Sequence, residues 1–442
     1  MPSNIQESPA SVPVARQAGE VRSRWGWTEE CVWTDRMLAT LETGVKGGKW
    51  FSLIDKVYAP ATLQAAFVKV KRNQGAAGVD HQSIDAFEKK LSVNLAGLSE
   101  ELRGGSYRPR AVLRKWISKG PGGGKRPLGI PTVRDRVVQG ALRSVLEPIF
   151  ERTFSEHSYG FRPQRGCKDA LREVEGHLKM GHSHIVDADL KSYFDTIPRE
   201  SLMTLVAEQV SDGQVLSLVR MMLQQGVLDD GELWTPEEGT PQGSVISPLL
   251  ANIFLNPLDH LLAGRDMKMV RYADDFVVVC ESRKQAVEAL EIIGAWVKEA
   301  GLTLHPEKTR LVDMSQPGAG FDFLGYHFEA GTKIPRKKSM EKLKDRIREH
   351  TQRNNGHSIQ SIINKLNGTL RGWFEYFKNS NSRVFPQVDY MVRRRLRAIL
   401  RKQRGQAPSL LANQTWPNKF FSVRGLFSVV TAREALGQSS TR

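Results

Sequence analysis

The chain has 442 residues, 40% of them hydrophobic and 25% charged, with a formal net charge of +16 and three cysteines. That length exceeds one ordinary domain, and the composition fits a globular protein with an ample core, excluding disordered and collagenous classes. No apolar run approaches the roughly 18 residues of a membrane helix, no basic-then-apolar leader opens the chain, and Cys31, Cys167 and Cys280 are too scattered for a disulfide framework or paired zinc ligands.

The location of the charge says more than its size. Residues 331–442 hold 24 Lys/Arg against 6 Asp/Glu, whereas residues 1–330 hold 40 against 42. A solvated basic face is the ordinary explanation of a cationic segment. An excess confined to the last quarter of a chain points instead to a polyanionic partner.

Residues 1–24 are polar and aperiodic, and disorder is expected there. Residues 25–58 carry Trp25, Trp27, Trp33 and Trp50 between glycine-rich breaks and read as a partly ordered lead-in. Leu63, Ala66, Phe67 and Val70 recur at helical spacing, and a turn-rich loop runs from Asn73 to Asp80. From Tyr107 to Pro131 two strand-like runs flank a loop of four glycines beside Lys119, Lys125 and Arg126. Such a hairpin suits either a flexible surface or backbone amides and cations laid against a triphosphate. It is not a Walker loop, because no Lys-Ser/Thr pair follows the glycines at the required spacing. Thr132–Phe150 reads as a helix, and residues 155–166 mix aromatics with Arg162 and Arg165, a combination suited to stacking and phosphate contact.

Ile185-Val186 begins a strand whose alternation sets Asp187 and Asp189 on one face, with Asp189 at the strand end. His182 and His184 beside Asp187 are better explained as solvent-facing than as transition-metal ligands, since no closed ligand set is visible. Ser247 with Pro248 looks like a helix N-cap and first turn, preceded by the loop Pro241-Gln242-Gly243. Leu250, Phe254, Leu258 and Leu261 form the stripe of that helix, which Gly264 ends. The stretch MVRYADDFVVVC, residues 269–280, reads as a β-hairpin with Asp274 and Asp275 at its turn. Aspartates are common in such turns for local reasons. Two carboxylates between strongly β-forming runs also make half of a magnesium site, and Asp189 is the natural other half. Residues 285–300 are an amphipathic helix stopped by Gly301, Lys308 follows Pro306, and Phe321–Phe328 is aromatic and strand-like. Residues 100–330 thus alternate strands and helices in the α+β manner. Residues 336–405 turn helical and basic, a pattern compatible with a membrane surface or calmodulin but better matched to nucleic acid, given the interleaved aromatics.

Ten segments in this order resemble a bacterial group II intron-encoded reverse transcriptase/maturase: NQGAAGVD, GGGKRPLGIP, SYGFRP, VDADLKSYFD, GTPQGSVISPLLANIFL, YADD, HPEKTR, FLGY, GWFEYF and WPNKFFSVRGLFS. The resemblance spans roughly residues 60–430. It implies a right-hand polymerase with fingers and palm at 59–330, after a variable lead-in at 1–58, a helical thumb or maturase domain at 331–385, and a basic DNA-binding segment at 386–442. Asp189, Asp274 and Asp275 match the family's metal-binding aspartates, which would hold two magnesium ions, and Lys308 the lysine that protonates pyrophosphate. Lys119 and Arg126 match the cations on the incoming deoxynucleoside triphosphate, Phe194 the aromatic that blocks a ribose 2′-hydroxyl, and Gln242 the loop beside the nucleotide. Phe161 and Arg162 match template contacts, Tyr272 lies near the primer end, and Phe323, Leu324 and Gly325 match the primer grip. Arg371, Trp373 and Tyr376, with Arg393, Arg394, Arg395 and Arg397, would meet intron RNA and target DNA.

The implied activity is copying of intron RNA into cDNA, with assistance to splicing and retrohoming, by a cytoplasmic protein that meets the nucleoid at target DNA and has no membrane partner. An HNH endonuclease is not expected, because no cysteine follows Cys280. His81 stands where a glycine is usual, and Gly120 lengthens the loop of Lys119. The rivals are a free-standing reverse transcriptase of diversity-generating, retron or defence type, a silent splicing cofactor, and an RNA-templated RNA polymerase. The maturase-like tail, the complete aspartate set and Phe194 count against them in turn.

Overall fold

The computed structural model describes residues 20–118, 124–329, 331–352, 356–405 and 412–439. The chain divides into two compact units, one formed by residues 1–175, 186–280 and 284–310, the other by 176–185, 281–283 and 311–442. Among the described residues no helix is long and apolar enough to cross a membrane.

In the first unit, helix α1 (Pro60–Asn73) starts on a proline, whose missing N–H is harmless at that position, and buries Leu63, Ala66, Phe67 and Val70. It packs on α2 (Val133–Glu151), where Thr132 caps the helix by accepting the Asp135 amide at 3.1 Å. Gly140 permits the close approach, since a Cβ there would lie 3.3 Å from that of Ala66. The lead-in is more ordered than its composition suggests. Leu38, Leu41, Leu53 and Val57 are buried, and Trp33 is fully buried with Nε1 donating to the Ser144 carbonyl at 3.0 Å. The glycine breaks mask this in the sequence, because each apolar cluster is too short to reveal a period.

The glycine-rich region forms an antiparallel pair, β1 (Val112–Ser118) and β2 (Lys125–Ile130), registered from Leu113↔Ile130 to Ser118↔Lys125. Two further strands, β4 (Val227–Asp229) and β5 (Glu232–Trp234), complete a sheet of order β2-β1-β4-β5, with β4 parallel to β1. Asp230 and Gly231 turn that second hairpin with φ of 49° and 89°, as a tight Asp-Gly turn requires. In the palm sheet β3 (His184–Asp189) lies beside β7 (Asp275–Cys280), which pairs with β6 (Lys268–Tyr272). Helix α3 (Ser247–Ala263) and helix α4 (Arg283–Glu299) carry Leu250, Phe254, Leu258, Ala289 and Ile293 into the same core. Ser247 does not cap α3. Ile246 occupies that position, and the Ser247 hydroxyl donates to the Pro241 carbonyl at 2.9 Å, pinning the loop before the helix.

Beyond Lys308 the chain enters β8 (Arg310–Asp313) and then, in the second unit, an antiparallel sheet of β9 (Gly320–Phe323), β10 (Tyr326–Glu329) and β11 (Thr332–Pro335). The run Phe321–Phe328 is therefore a hairpin and not one strand. Leu324 and Gly325 form its two-residue turn at φ 46° and 84°, with Phe323 opposite Tyr326. Helices α5 (Lys337–His350), α6 (Ile359–Phe377) and α7 (Phe385–Gln403) share one core of Leu343, Ile347, Leu366, Phe374, Phe385 and Leu396. Helices α6 and α7, on either side of residue 385, bury their apolar stripes in this one core.

Candidate active site

The aspartate hairpin is a two-residue turn, Ala273-Asp274, between Tyr272 and Asp275, which pair across it. Ala273 adopts φ 61°, a left-handed conformation that costs a non-glycine residue about 1–2 kcal/mol. Such strain persists only where neighbours over-determine it, and here they do. The Arg271 side chain, fully buried, donates through Nη1 to the Ala273 carbonyl and to Asn252 Oδ1, each at 2.9 Å. Its Nε and Nη2 meet both oxygens of Asp259 at 2.7 and 2.5 Å. Asn252 in turn donates to the Gly160 carbonyl at 2.7 Å. A Cβ on Gly160 would fall 2.2 Å from the Ala273 nitrogen, so only glycine fits between SYGFRP and the turn. The backbone of that segment also bonds β6, Tyr159 N to Arg271 O at 2.8 Å and Arg271 N to His157 O at 2.9 Å.

Asp274 and Asp189 are close enough to act on each other. Burial pushes the Asp274 carboxyl above its ordinary value and the Asp189 charge pushes the same way. A hydrogen bond from its own backbone amide, together with Arg271 and Lys308, pulls it down. Lys308 Nζ lies 3.0 and 3.2 Å from the two oxygens of Asp189. Asp275 opens β7 and is exposed. Among the described residues no three His, Cys, Asp or Glu groups stand gathered as a closed metal cluster. The donor set nevertheless suits magnesium, which takes hard carboxylate oxygens and commonly completes its shell with water and phosphate rather than protein.

The loop of Gln242 is clamped from two sides. The Gln242 carbonyl accepts the Gly129 amide of β2 at 2.6 Å, and Gln242 Nε2 donates to Asp195 Oδ2 at 3.0 Å. Gly243 has φ 106°, and a Cβ on it would stand 2.1 Å from the Gly129 carbonyl oxygen. Thr240 N donates to the Phe194 carbonyl at 2.7 Å, and the half-buried Phe194 ring meets Tyr193 edge-on at 5.6 Å. A cavity of about 330 Å³ adjoins this loop, lined among others by Arg114, Gly129, Asp195, Trp234 and Gln242. Arg126 is exposed on β2 opposite Ile117. Lys119 lies outside the described residues.

Other positions separate into exposed and committed groups. Phe161 is 46% exposed at φ 60°, with its ring 6.4 Å from that of Tyr272. The Tyr272 phenol is pushed up to about 12 by burial and by the Cys167 thiol beside it. Arg162, expected to meet template, is buried. Its guanidinium is taken up by Glu151, with Nη2 at 2.7 Å, and by the Ser155 and Ser158 carbonyls. It braces the segment that presents Phe161.

In the second unit Phe323 is fully buried, so only the Leu324-Gly325 turn is presented. Tyr376 Oη donates to the Leu324 carbonyl at 2.7 Å and Arg336 N to that of Gly325 at 2.9 Å. Trp373 packs on Phe377 at 5.2 Å, and Arg371 is exposed with its guanidinium 4.7 Å from the Phe427 ring centroid. On α7 the four arginines differ. Arg397 is buried and bonds the Trp416 carbonyl and Asn418, Arg395 bonds Thr351, Arg393 lies 3.6 Å from Asp389, and Arg394 is exposed.

Sequence reasoning missed Arg271, Asp259, Asn252 and Gly160. Two signals existed: an arginine inside an apolar strand, and an aspartate inside an apolar helix.

The chain matches the family model described as reverse transcriptase (RNA-dependent DNA polymerase) over residues 117–328, and that of the group II intron maturase-specific domain over 340–415. It is 35% identical to protein YkfC of Escherichia coli (strain K12) over 288 residues, covering 56% of this chain and 74% of YkfC. It is 35% identical over 214 residues to the group II intron-encoded protein LtrA of Lactococcus lactis subsp. cremoris, covering 48% of this chain and 35% of LtrA. An uncharacterized 91 kDa protein in the cob intron of Schizosaccharomyces pombe is 30% identical over 314 residues, covering 56% of this chain and 38% of that protein. The chain thus spans little more than a third of the latter two relatives.

Proposed function

Because the chain belongs to the group II intron-encoded reverse transcriptases and maturases, we propose that it copies intron RNA into cDNA and binds that RNA to assist splicing and retrohoming. The observation that carries the polymerase reading is the meeting of Asp189 and Asp274 at adjoining strand ends, with Lys308 on the Asp189 carboxylate. Asp189 and Asp274, with Asp275 beside them, would hold magnesium. When bound, two such ions lower the barrier to displacement by polarising the attacking and leaving oxygens.

The side chains do the rest. Arg271 fixes the turn that carries Asp274, so that its carboxyl needs no reorganisation during reaction. Arg126 is available to the triphosphate as an exposed cation. Gln242, held by Asp195 and Gly129, forms a preset wall beside the nucleotide, and Phe194 excludes a 2′-hydroxyl by bulk, so that deoxynucleotides are the substrates. Lys308, an ammonium at the carboxylate cluster, has the charge and reach to hand a proton to the departing pyrophosphate. The basic second unit, with exposed Arg371 and Arg394, supplies salt-dependent affinity for intron RNA and target DNA.

The test is primer extension on an RNA template with magnesium, comparing deoxynucleotides with ribonucleotides and wild type with Asp274→Ala. Long cDNA from deoxynucleotides, lost in the variant, is the expected outcome. A folded, RNA-binding wild type that extends nothing overturns the enzyme reading and favours a splicing cofactor.

A further inference from the structure

The cavity of about 330 Å³ beside the Gln242 loop is separate from the aspartates, since among the described residues neither Asp189, Asp274, Phe194 nor Arg126 lines it. Strand register explains why. Val112 lies opposite Val227 and Val227 opposite Trp234, so these three share one face of the β2-β1-β4-β5 sheet. Alternation along β1 adds Arg114 and Trp116 to that face. Arg126, paired with Ile117, belongs to the other. The cavity therefore lies against the side of the sheet away from the cation assigned to the triphosphate.

Its walls carry polar groups with bonding capacity left over. The Arg114 guanidinium lies over Trp234, 4.9 Å from the ring centroid, with that of Trp116 at 5.7 Å. Its ion-pair partner Asp229 is 3.8 Å away, beyond a hydrogen bond, and already accepts Trp116 Nε1 at 3.2 Å. Asp195 accepts Gln242 Nε2 on Oδ2 at 3.0 Å, which leaves Oδ1 with capacity to accept. Thr240 is 3% exposed, and its hydroxyl is buried in the wall with no hydrogen-bond partner among the described residues. Such a group costs stability until something bonds it.

A guanidinium, a carboxylate and a hydroxyl around an apolar, aromatic-sided space call for a flat molecule with acceptors on one edge and donors on another. A purine base meets that description, and guanine meets it best. Its O6 and N7 accept from an arginine fork, and its N1–H and N2–H₂ suit a carboxylate. Phosphate is disfavoured, because Glu237 and Glu238 of the lining are exposed acids and the other cation, Arg199, is spent on the Glu238 and Gly239 carbonyls at 3.2 Å each. A cationic ligand is disfavoured too, because Arg114 already covers the Trp234 ring. We infer that this cavity binds an unphosphorylated guanine, as free base or nucleoside, at a site separate from that of the incoming nucleotide.

The test is equilibrium dialysis of radiolabelled guanosine against the full chain, without primer, template or magnesium. Saturable one-to-one binding is the expected result, and no binding by folded wild type at millimolar guanosine overturns the inference. Arg114→Gln should weaken binding roughly tenfold, the loss of one bidentate base contact. Thr240→Val keeps the shape of the wall but removes the hydroxyl, and should weaken binding about threefold. Thermal melting shows whether each variant is folded; where Arg114→Gln is not, Thr240→Val still decides. Folded variants that bind as wild type does overturn the assignment to this cavity. Arg126→Gln, on the opposite face, should leave guanosine affinity unchanged, and a loss equal to that of Arg114→Gln would put guanosine in the nucleotide's site instead. Adenosine, with an N6 donor where guanine has O6, should bind roughly tenfold more weakly, and guanosine monophosphate should also bind more weakly, repelled by the acids. Equal binding of adenosine overturns the choice of guanine, and equal binding of the monophosphate overturns the unphosphorylated ligand. Dialysis needs no catalysis, so a failure of primer extension sinks the polymerase reading and leaves this site standing.

Discussion

Replacing Asp259 by alanine should destabilise the protein severely and for one identifiable reason. Arg271 is wholly buried, and Asp259, itself 4% exposed, is the carboxylate that neutralises it through two hydrogen bonds of 2.5 and 2.7 Å. Deleting the acid strands a cation in the core, which costs about 3–5 kcal/mol. Against a usual total of about 5–15 kcal/mol, that is a large share of all the stability available. Urea unfolding followed by fluorescence measures it directly. A second variant, Asp259→Leu with Arg271→Met, separates stability from function. Well-packed apolar replacements of a buried pair are often neutral or better, so most of the lost stability should return. Primer extension should not return, because the Ala273 carbonyl and Asn252 Oδ1 have then lost the donor that holds the turn. A loss below about 1 kcal/mol for Asp259→Ala would show the pair to be idle, since even surface pairs reach that range. Full activity in the double variant would refute its role in positioning Asp274.

Phe194→Val should admit ribonucleotides, raising their incorporation relative to deoxynucleotides by roughly 10–100-fold, the range one steric contact supplies; unchanged discrimination in competition assays would remove Phe194 from the sugar gate. Lys308→Ala should lower single-turnover rate by about 10²-fold or more, with Lys308→Arg restoring charge but not proton transfer, and a variant with wild-type rate would exclude the general-acid role. His157 supports the SYGFRP segment, and its hydrogen bond to Glu173 raises its pKa above 6.5, with Glu173's charge adding to this and partial burial opposing it. The folded value being higher, its contribution is complete below the unfolded pKa of about 6.5 and is lost as pH rises through the folded one. Melting temperature should therefore decline above neutrality in wild type and less so in His157→Gln, and parallel declines would count against this coupling. His81, at φ 55° where the family favours glycine, should gain about 0.5 kcal/mol on His81→Gly, since relief of left-handed strain outweighs the added chain entropy.

Local chemistry made much of this molecule readable from its residues alone. The helix carrying Leu63, Ala66, Phe67 and Val70, the helix from Thr132 to Phe150 and the hairpin about Asp274 follow from periodicity and turn preference, which act within a few residues. Where expectation and structure part, a distant segment intervened. Ser247 is a good N-cap in isolation, yet its hydroxyl serves the Pro241 carbonyl because that loop must be held. Arg162 looks like a template contact beside aromatics, yet Glu151, eleven residues earlier, takes its guanidinium. Phe321–Phe328 reads as one strand because leucine is a poor turn residue. What allows Leu324 at φ 46° is Tyr376, more than fifty residues on, whose hydroxyl donates to the Leu324 carbonyl.

The buried network beneath the aspartates is the extreme case of this non-locality. Strand alternation treats Arg271 as an interruption in an apolar run, and helical periodicity treats Asp259 as a blemish on an apolar face. Either charge alone inside the core would be prohibitive, so each implies the other, although neither says where its partner lies. Gly160, Asn252 and Ala273 then supply the remaining contacts from three separate segments. Two uncompensated charges at core positions are a sequence-level sign of such a pair. Their convergence under a strained turn is why the carboxylates can be partly exposed, mutually repelling and still held in place.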